Sequence, residues 1–293
     1  MRLTFVTTVY NRIESVRLHL RSLENQSEPD FHVVVADDGS TEDIHGLVQR
    51  SNLAITHLRA LHDERLLGVK TRNRGCANVP PDTTHIWLTD GDIVFNPQAV
   101  AWAYRHLQSM PKTVIAGRYD WMPRMDVTQA DITLRFDDFV HCRLPLLPMD
   151  PESQGGARKM LDGRNSDPRS EECFTDCTKT YGCKGGILGS NVIVPIEAWV
   201  QTGGYDENMP PACNAGDCEF GHNLALHGWK NIYCPHIIGY HLYHERDTLA
   251  LTLGVRQGIV YMSKKYGYAL DYAKHLPKLP PGVTDEFSHL EGA

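Results

Sequence analysis

The sequence predicts an α/β fold in which a mostly parallel central sheet is flanked by helices. Three observations carry this prediction. Apolar runs alternate with segments of helical periodicity throughout residues 1–117. The connections between them are short, as repeated strand–helix units require. Acidic pairs, Asp37-Asp38 and Asp90-Gly91-Asp92, stand where strands end, the position at which such sheets bind ligands.

Taken in order, residues 3–8 form the first strand and residues 12–25 a helix with Val16, Leu20 and Leu23 on one face. Residues 31–36 form the second strand. The run Asp37-Asp38-Gly39-Ser40-Thr41-Glu42-Asp43 opens the next helix, with Ser40 and Asp43 at the spacing of a helix start. A strand over 53–58, a helix over 69–78 and a strand over 84–89 follow. A helix begins at Pro97 and runs to 108, and residues 113–117 give a fifth strand.

Residues 118–184 lose this rhythm and are rich in Pro, Asp, Arg and Gly, the signature of long loops. Order returns with a strand over 185–194, a short helix over 195–202 and Gly203-Gly204-Tyr205-Asp206-Glu207. A helix over 217–228, strands around 230–242 and a terminal helix near 247–266 precede a Pro-rich tail expected to be loose.

The chain has 293 residues, 41% hydrophobic and 22% charged, enough for a substantial core. Its net charge of -7 argues against general attraction to nucleic acid or to anionic lipid. No apolar run approaches the roughly 20 residues that span a membrane. The opening strand pattern has no signal-peptide cleavage region, so a cytoplasmic protein with reduced thiols is expected. Cys173, Cys177 and Cys183 lie close together but lack the tight pair typical of zinc sites.

Asp90-Gly91-Asp92 is the most informative motif. Two carboxylates one residue apart at a strand end project the same way, and the glycine leaves room for a close approach to the backbone. Like charges this close need an intervening cation or full solvation. The motif therefore reads either as a divalent-metal site holding a phosphate-bearing substrate or as a solvated turn.

Several motifs in order resemble the inverting GT-A glycosyltransferases, family 2 and its relatives. They are Thr8-Val9-Tyr10-Asn11-Arg12, Val34-Val35-Ala36-Asp37-Asp38-Gly39-Ser40 and Gly68-Val69-Lys70-Thr71-Arg72-Asn73. Asp90-Gly91-Asp92, Gly203-Gly204-Tyr205-Asp206-Glu207, Gly216-Asp217-Cys218-Glu219-Phe220 and His241-Leu242-Tyr243-His244-Glu245-Arg246-Asp247 continue the series. The resemblance implies a GT-A, Rossmann-like fold with a smaller acceptor-side subregion. It divides the chain into a nucleotide-sugar-binding half (1–117), a loop-rich acceptor lid (118–184), an acceptor and catalytic-base half (185–247) and a C-terminal helix and tail (248–293).

The resemblance further implies that Thr8, Tyr10, Asn11 and Arg12 line the nucleotide pocket and that Asp38 accepts a hydrogen bond from the base. Gly68, Asp90 and Gly91 join that set, and Arg72 either approaches the diphosphate or pins a carboxylate. Asp92 would ligate the metal with His244, with His241 and Asp90 as further candidates. Such mixed ligands suit Mn²⁺ better than Mg²⁺. Asp217 matches the catalytic base and Glu219 is the fallback. Tyr119, Trp121 and Tyr181 are candidate sugar-stacking platforms.

The expected reaction moves a sugar from a nucleotide-sugar, UDP-linked for preference, to the hydroxyl of an unidentified acceptor. Two rivals stand beside it: a non-catalytic nucleotide- or sugar-binding protein, and a nucleotidyltransferase. The first loop has no glycine, which disfavours the latter.

Overall fold

The computed structural model describes residues 1–62, 68–121, 189–210, 215–242, 244, 247–267 and 276–288. Tyr181, Cys173, Cys177 and Cys183, and most of the loop-rich stretch, lie outside the described residues. β1 (Leu3–Val9) runs parallel to β2 (Phe31–Asp37) on one side and to β4 (His85–Asp90) on the other. β3 (Ile55–Arg59) continues the parallel run beyond β2.

Past β4 the sheet becomes mixed. β7 (Asn191–Pro195) is antiparallel to β4, and β6 (Thr113–Trp121) is antiparallel to β7. β8 (Lys230–His241) runs parallel to β6 and antiparallel to the short β5 (Ile93–Phe95). The order is β3-β2-β1-β4-β7-β6-β8-β5. The fifth strand of the sequence reading therefore does not extend the parallel run; a strand from the second half of the chain takes the place beside β4. The region around 230–242 is one continuous strand.

Alternation along the central strands gives the sheet two apolar faces. Phe5, Val33, Val35, Trp87 and Ile193 meet α1 (Ile13–Glu24), α2 (Ile44–Gln49) and α4 (Ala99–Ser109). Val6, Val34, Ile86, Leu88 and Val192 meet α3 (Val69–Cys76), α5 (Ile196–Thr202) and α6 (Gly216–Leu226). Trp87 is fully buried and stacks on Phe5 at 4.4 Å, with Phe95 edge-on at 5.1 Å. Truncating such a ring to alanine costs about 3–5 kcal/mol.

The start of α2 differs from the expected one. Asp43 is its cap, accepting a hydrogen bond from Gly46 N at 2.8 Å. Ser40 instead donates its hydroxyl to Asp37 Oδ1 at 2.6 Å and accepts from Asn11 N at 2.7 Å, so it braces a loop.

α7 (Thr248–Tyr266) begins at Asp247, whose carboxylate accepts from Ala250 N. The tail expected to be loose is held against this helix. Fully buried Arg256 donates twice to Asp285, at 2.7 and 2.8 Å, and once to the Pro277 carbonyl at 2.7 Å.

Cys76 and Cys234 are buried free thiols, whereas Cys218 is disulfide-bonded, a departure from the expected reduced thiols. Among the described residues no helix is long and apolar enough to cross a membrane.

Candidate active site

Parallel registration of β1, β2 and β4 sets Thr8 beside Asp90 and Val9 beside Asp37 at one sheet edge. The chain leaves β1 through Asn11 and Arg12, both left-handed with φ of 54° and 59°. Non-glycine residues in this region store strain that the surroundings must hold. Here Asn11 Oδ1 accepts from Thr41 N at 2.8 Å and from Thr41 Oγ1 at 3.1 Å, which pins the loop to the segment after β2. The result is a cleft of about 560 Å³. Of the nucleotide- and metal-binding residues picked from the sequence, all but Arg72 line it.

The two acids of the Asp90-Gly91-Asp92 motif have separate partners. Asp90 Oδ1 accepts from Thr8 Oγ1 at 2.6 Å and from Arg72 Nη2 at 2.5 Å, while Oδ2 accepts from Ser190 Oγ at 2.7 Å. Burial would raise the Asp90 pKa, but the Arg72 charge and these hydroxyl donors hold it below its ordinary value against the repulsion of Asp92. Arg72 is thus the residue that pins a carboxylate. Gly91 makes room for the chain itself: a Cβ there would stand 3.1 Å from Val9 Cγ2 and 3.2 Å from Val16 Cγ2.

Asp92 faces the other strand end. Pairing of β5 with β8 sets Ile93 opposite His241, and Leu242 N donates to the Asp92 carbonyl at 2.9 Å. Asp92 Oδ2 lies 3.6 Å from His241 Nε2, 3.3 Å from His244 Nε2 and 3.0 Å from Arg12 Nη1. Burial acts to raise its pKa, yet His241, His244 and Arg12 hold it far below the usual carboxylate range.

One ligand atom from each of Asp92, His241 and His244 falls within 4.8 Å of the others. Asp92 Oδ1 is buried and makes no hydrogen bond, so an acceptor remains for a cation. One carboxylate with two imidazoles fits a divalent ion of the Mn²⁺ type. Asp90 stands outside this group, its oxygens already engaged.

Also lining the cleft, Asp38 accepts at Oδ1 from Thr71 Oγ1 at 2.8 Å and pairs at Oδ2 with His62 Nδ1 at 2.6 Å. His62 in turn stacks on Tyr10, ring centroids 3.9 Å apart and nearly coplanar at 6°. His62, Thr71 and Ser190 were not picked from the sequence. Thr71 lies inside a motif quoted above, while His62 and Ser190 carry no spacing signal.

Asp217 and Glu219 belong to α6 but face different neighbours, since positions two apart on a helix point to opposite sides. Asp217 Oδ1 accepts from Tyr205 OH at 3.1 Å. Glu219 is fully buried against α7, where Oε1 accepts from Lys265 Nζ at 2.7 Å and from Tyr266 OH at 2.5 Å. Tyr119 and Trp121 stand at the end of β6.

Residues 4–147 match the glycosyl transferase family 2. No curated protein matches the chain in sequence. Among solved structures, S. aureus TarS superimposes with a TM-score of 0.59 at 14% identity, covering 90% of this chain and 40% of that one. S. aureus TarS 1-349 in complex with UDP-GlcNAc gives 0.58 at 15% identity, covering 90% of this chain and 67% of its own. Mannosyltransferase PcManGT from Pyrobaculum calidifontis, in complex with GDP-Man and Mn2+, gives 0.55 at 17% identity, with coverages of 96% and 66%. The chain thus spans about two-fifths of the TarS length, and at these identities the likeness is one of fold.

Proposed function

The chain carries a family 2 glycosyltransferase domain on the GT-A fold, and from that premise we propose that it transfers a sugar from a nucleoside diphosphate sugar to an acceptor hydroxyl with inversion. The observation that carries this reading is that one cleft is lined both by Asp38 and Tyr10 and by the Asp92, His241 and His244 group. Such a lining offers groups for both a base and a diphosphate.

Tyr10 offers a half-exposed ring for stacking, and Asp38 accepts a hydrogen bond from a ring N–H. Asp92, His241 and His244 would hold a divalent cation, whose contribution is to offset the charge developing on the diphosphate. Asp217 takes the proton of the acceptor hydroxyl as its oxygen attacks the anomeric carbon from the face opposite the leaving group. One displacement inverts that carbon. Asp217 sits in the first turn of α6.

UDP is the preferred nucleotide, and the similar folds that carry UDP-GlcNAc and GDP-Man define the two to compare. Calorimetric titration of UDP and of GDP, each with Mn²⁺ and with EDTA, tests the assignment. Manganese-dependent binding of one nucleotide is expected. Folded protein that binds neither would overturn the proposal in favour of a non-catalytic role.

A further inference from the structure

Tyr205 is buried to 2% exposure, and its phenol is its only polar side-chain group. Every part of the residue is fixed by something different. Its ring stacks on Phe220 at 4.7 Å and 28°, and the Arg72 guanidinium lies over it at 5.5 Å from the centroid. Its backbone is gripped at both groups by Asn73: the amide donates to Asn73 Oδ1 at 3.0 Å, and the carbonyl accepts from Asn73 Nδ2 at 2.8 Å. The preceding Gly203 and Gly204 adopt φ of 75° and 76°, a turn that delivers the ring into this slot.

The hydroxyl so placed donates to one oxygen of Asp217. Among the described residues, Asp217 Oδ2 makes no hydrogen bond. The contact is also closed from the side: a Cβ on Gly189 would come within 2.1 Å of Asp217 Oδ1 and 2.6 Å of Tyr205 OH. A ring that only filled the core would need no hydroxyl here, because its stacking partners are all apolar or planar.

We propose that Tyr205 is a positioning residue, which by holding Asp217 Oδ1 leaves Oδ2 aimed at the acceptor hydroxyl. This rests on the reading of Asp217 as the base. In that step the hydroxyl proton passes to Oδ2 while the oxygen bonds to the anomeric carbon. The bond from that carbon to the diphosphate oxygen breaks, and its electron pair leaves with the diphosphate. A carboxylate anchored at one oxygen loses its freedom to rotate before the step begins, which is the advantage of preorganisation. Burial and the Asp217 charge push the Tyr205 phenol well above its ordinary pKa, so the donor keeps its proton.

Tyr205→Phe keeps the ring and its stacking and removes one oxygen. Hydrolysis of UDP-GlcNAc or GDP-mannose by the full chain with Mn²⁺ is the activity to follow, alongside Asp217→Asn and the double variant. The single Phe variant should lose about 10- to 100-fold in kcat with KM for the donor unchanged. The double variant should fall no further than Asp217→Asn alone. Wild-type kcat in Tyr205→Phe with Asp217→Asn inactive would overturn the positioning role and leave the base assignment standing. Full activity in Asp217→Asn would remove both.

Crystal structures of the wild type and Tyr205→Phe give a readout that needs no turnover. The Asp217 carboxylate should rotate or spread over several orientations in the variant. An unmoved, ordered carboxylate would defeat the proposal.

Discussion

Arg12 Nη1 donates to Asp92 Oδ2 at 3.0 Å, the same oxygen that His244 Nε2 approaches at 3.3 Å. A guanidinium on one oxygen of Asp92 repels a divalent cation bound to the other. Arg12 therefore acts as an internal counter-ion of Asp92 that would weaken cation binding there. Arg12→Gln should bind Mn²⁺ alone about tenfold more tightly, a modest gain because the Arg12 side chain is half exposed and screened. Electron paramagnetic resonance of free Mn²⁺ measures it, and equal or weaker binding would show that the two cations do not compete.

Buried His19 makes the fold sensitive to acid. It is fully buried in α1, with Nδ1 against the Ile93 carbonyl at 2.6 Å and Nε2 against Thr7 Oγ1 at 3.0 Å. Burial lowers its pKa from 6.5 to about 4, with the Ile93 hydrogen bond and the charges of Asp92 and Asp90 opposing. The unfolded chain thus binds the proton more readily than the folded one. Stability is complete above about pH 6.5 and drains away as pH falls toward 4, by about 3 kcal/mol. Urea unfolding of wild type and His19→Gln between pH 7 and 4 checks this. The variant should lack that dependence, and parallel curves would assign it to other groups.

The Arg256–Asp285 pair joins α7 to the tail with an Arg that has no exposure. Asp285→Ala removes the bidentate carboxylate partner of a fully buried guanidinium and should destabilise the fold. Replacing Arg256 with Met and Asp285 with Ala together should cost less, since the guanidinium that must be kept out of water is removed with its partner. Chemical denaturation of the two variants separates these cases, and equal losses would mean that packing rather than charge dominates.

Gly203 and Gly204 share a left-handed backbone but differ in their surroundings. A Cβ on Gly204 would lie 2.6 Å from Trp199 Cζ2 and 2.9 Å from Asn73 Oδ1, whereas one on Gly203 meets nothing within 4 Å. Gly203→Ala should cost only the backbone strain, about 1–2 kcal/mol. Gly204→Ala adds overpacking of about 1–3 kcal/mol. Similar melting temperatures for the two variants would refute the difference.

Most helices and strands were legible because their apolar periodicity is strong. α1, α3, α5 and β1 begin and end within about two residues of where the pattern places them. Strand neighbours were not legible, since nothing local in residues 113–117 or 191–195 says that the latter pairs with β4. Most of the residues that line the cleft lie in the quoted motifs, and the resemblance ranks Asp92 ahead of Asp90 as a metal ligand, but the separate partners that hold the two acids were not legible. Their spacing suggests a shared role, but β4 ends at Asp90 and β5 begins at Ile93. The turn between them sends one acid to Arg72 and Ser190 and the other to the histidines. His62 was missed because a stack on Tyr10 depends on a loop path that no residue pattern announces.

β8 lies between β6 and β5 although it is the last strand among the described residues. On the ribosome, Ile93–Phe95 therefore emerges without a pairing partner and stays so until Gly239 to His241 have been made. β6 likewise waits for both of its neighbours. A nascent chain halted before β8 would present unpaired, apolar edges of the kind that chaperones bind and that aggregate when left uncovered. Closure by such distant contacts also favours slow folding. Because His241 ends that strand, the cleft gains His241 and His244 only once β8 has been made, and a chain halted earlier lacks both of these lining residues.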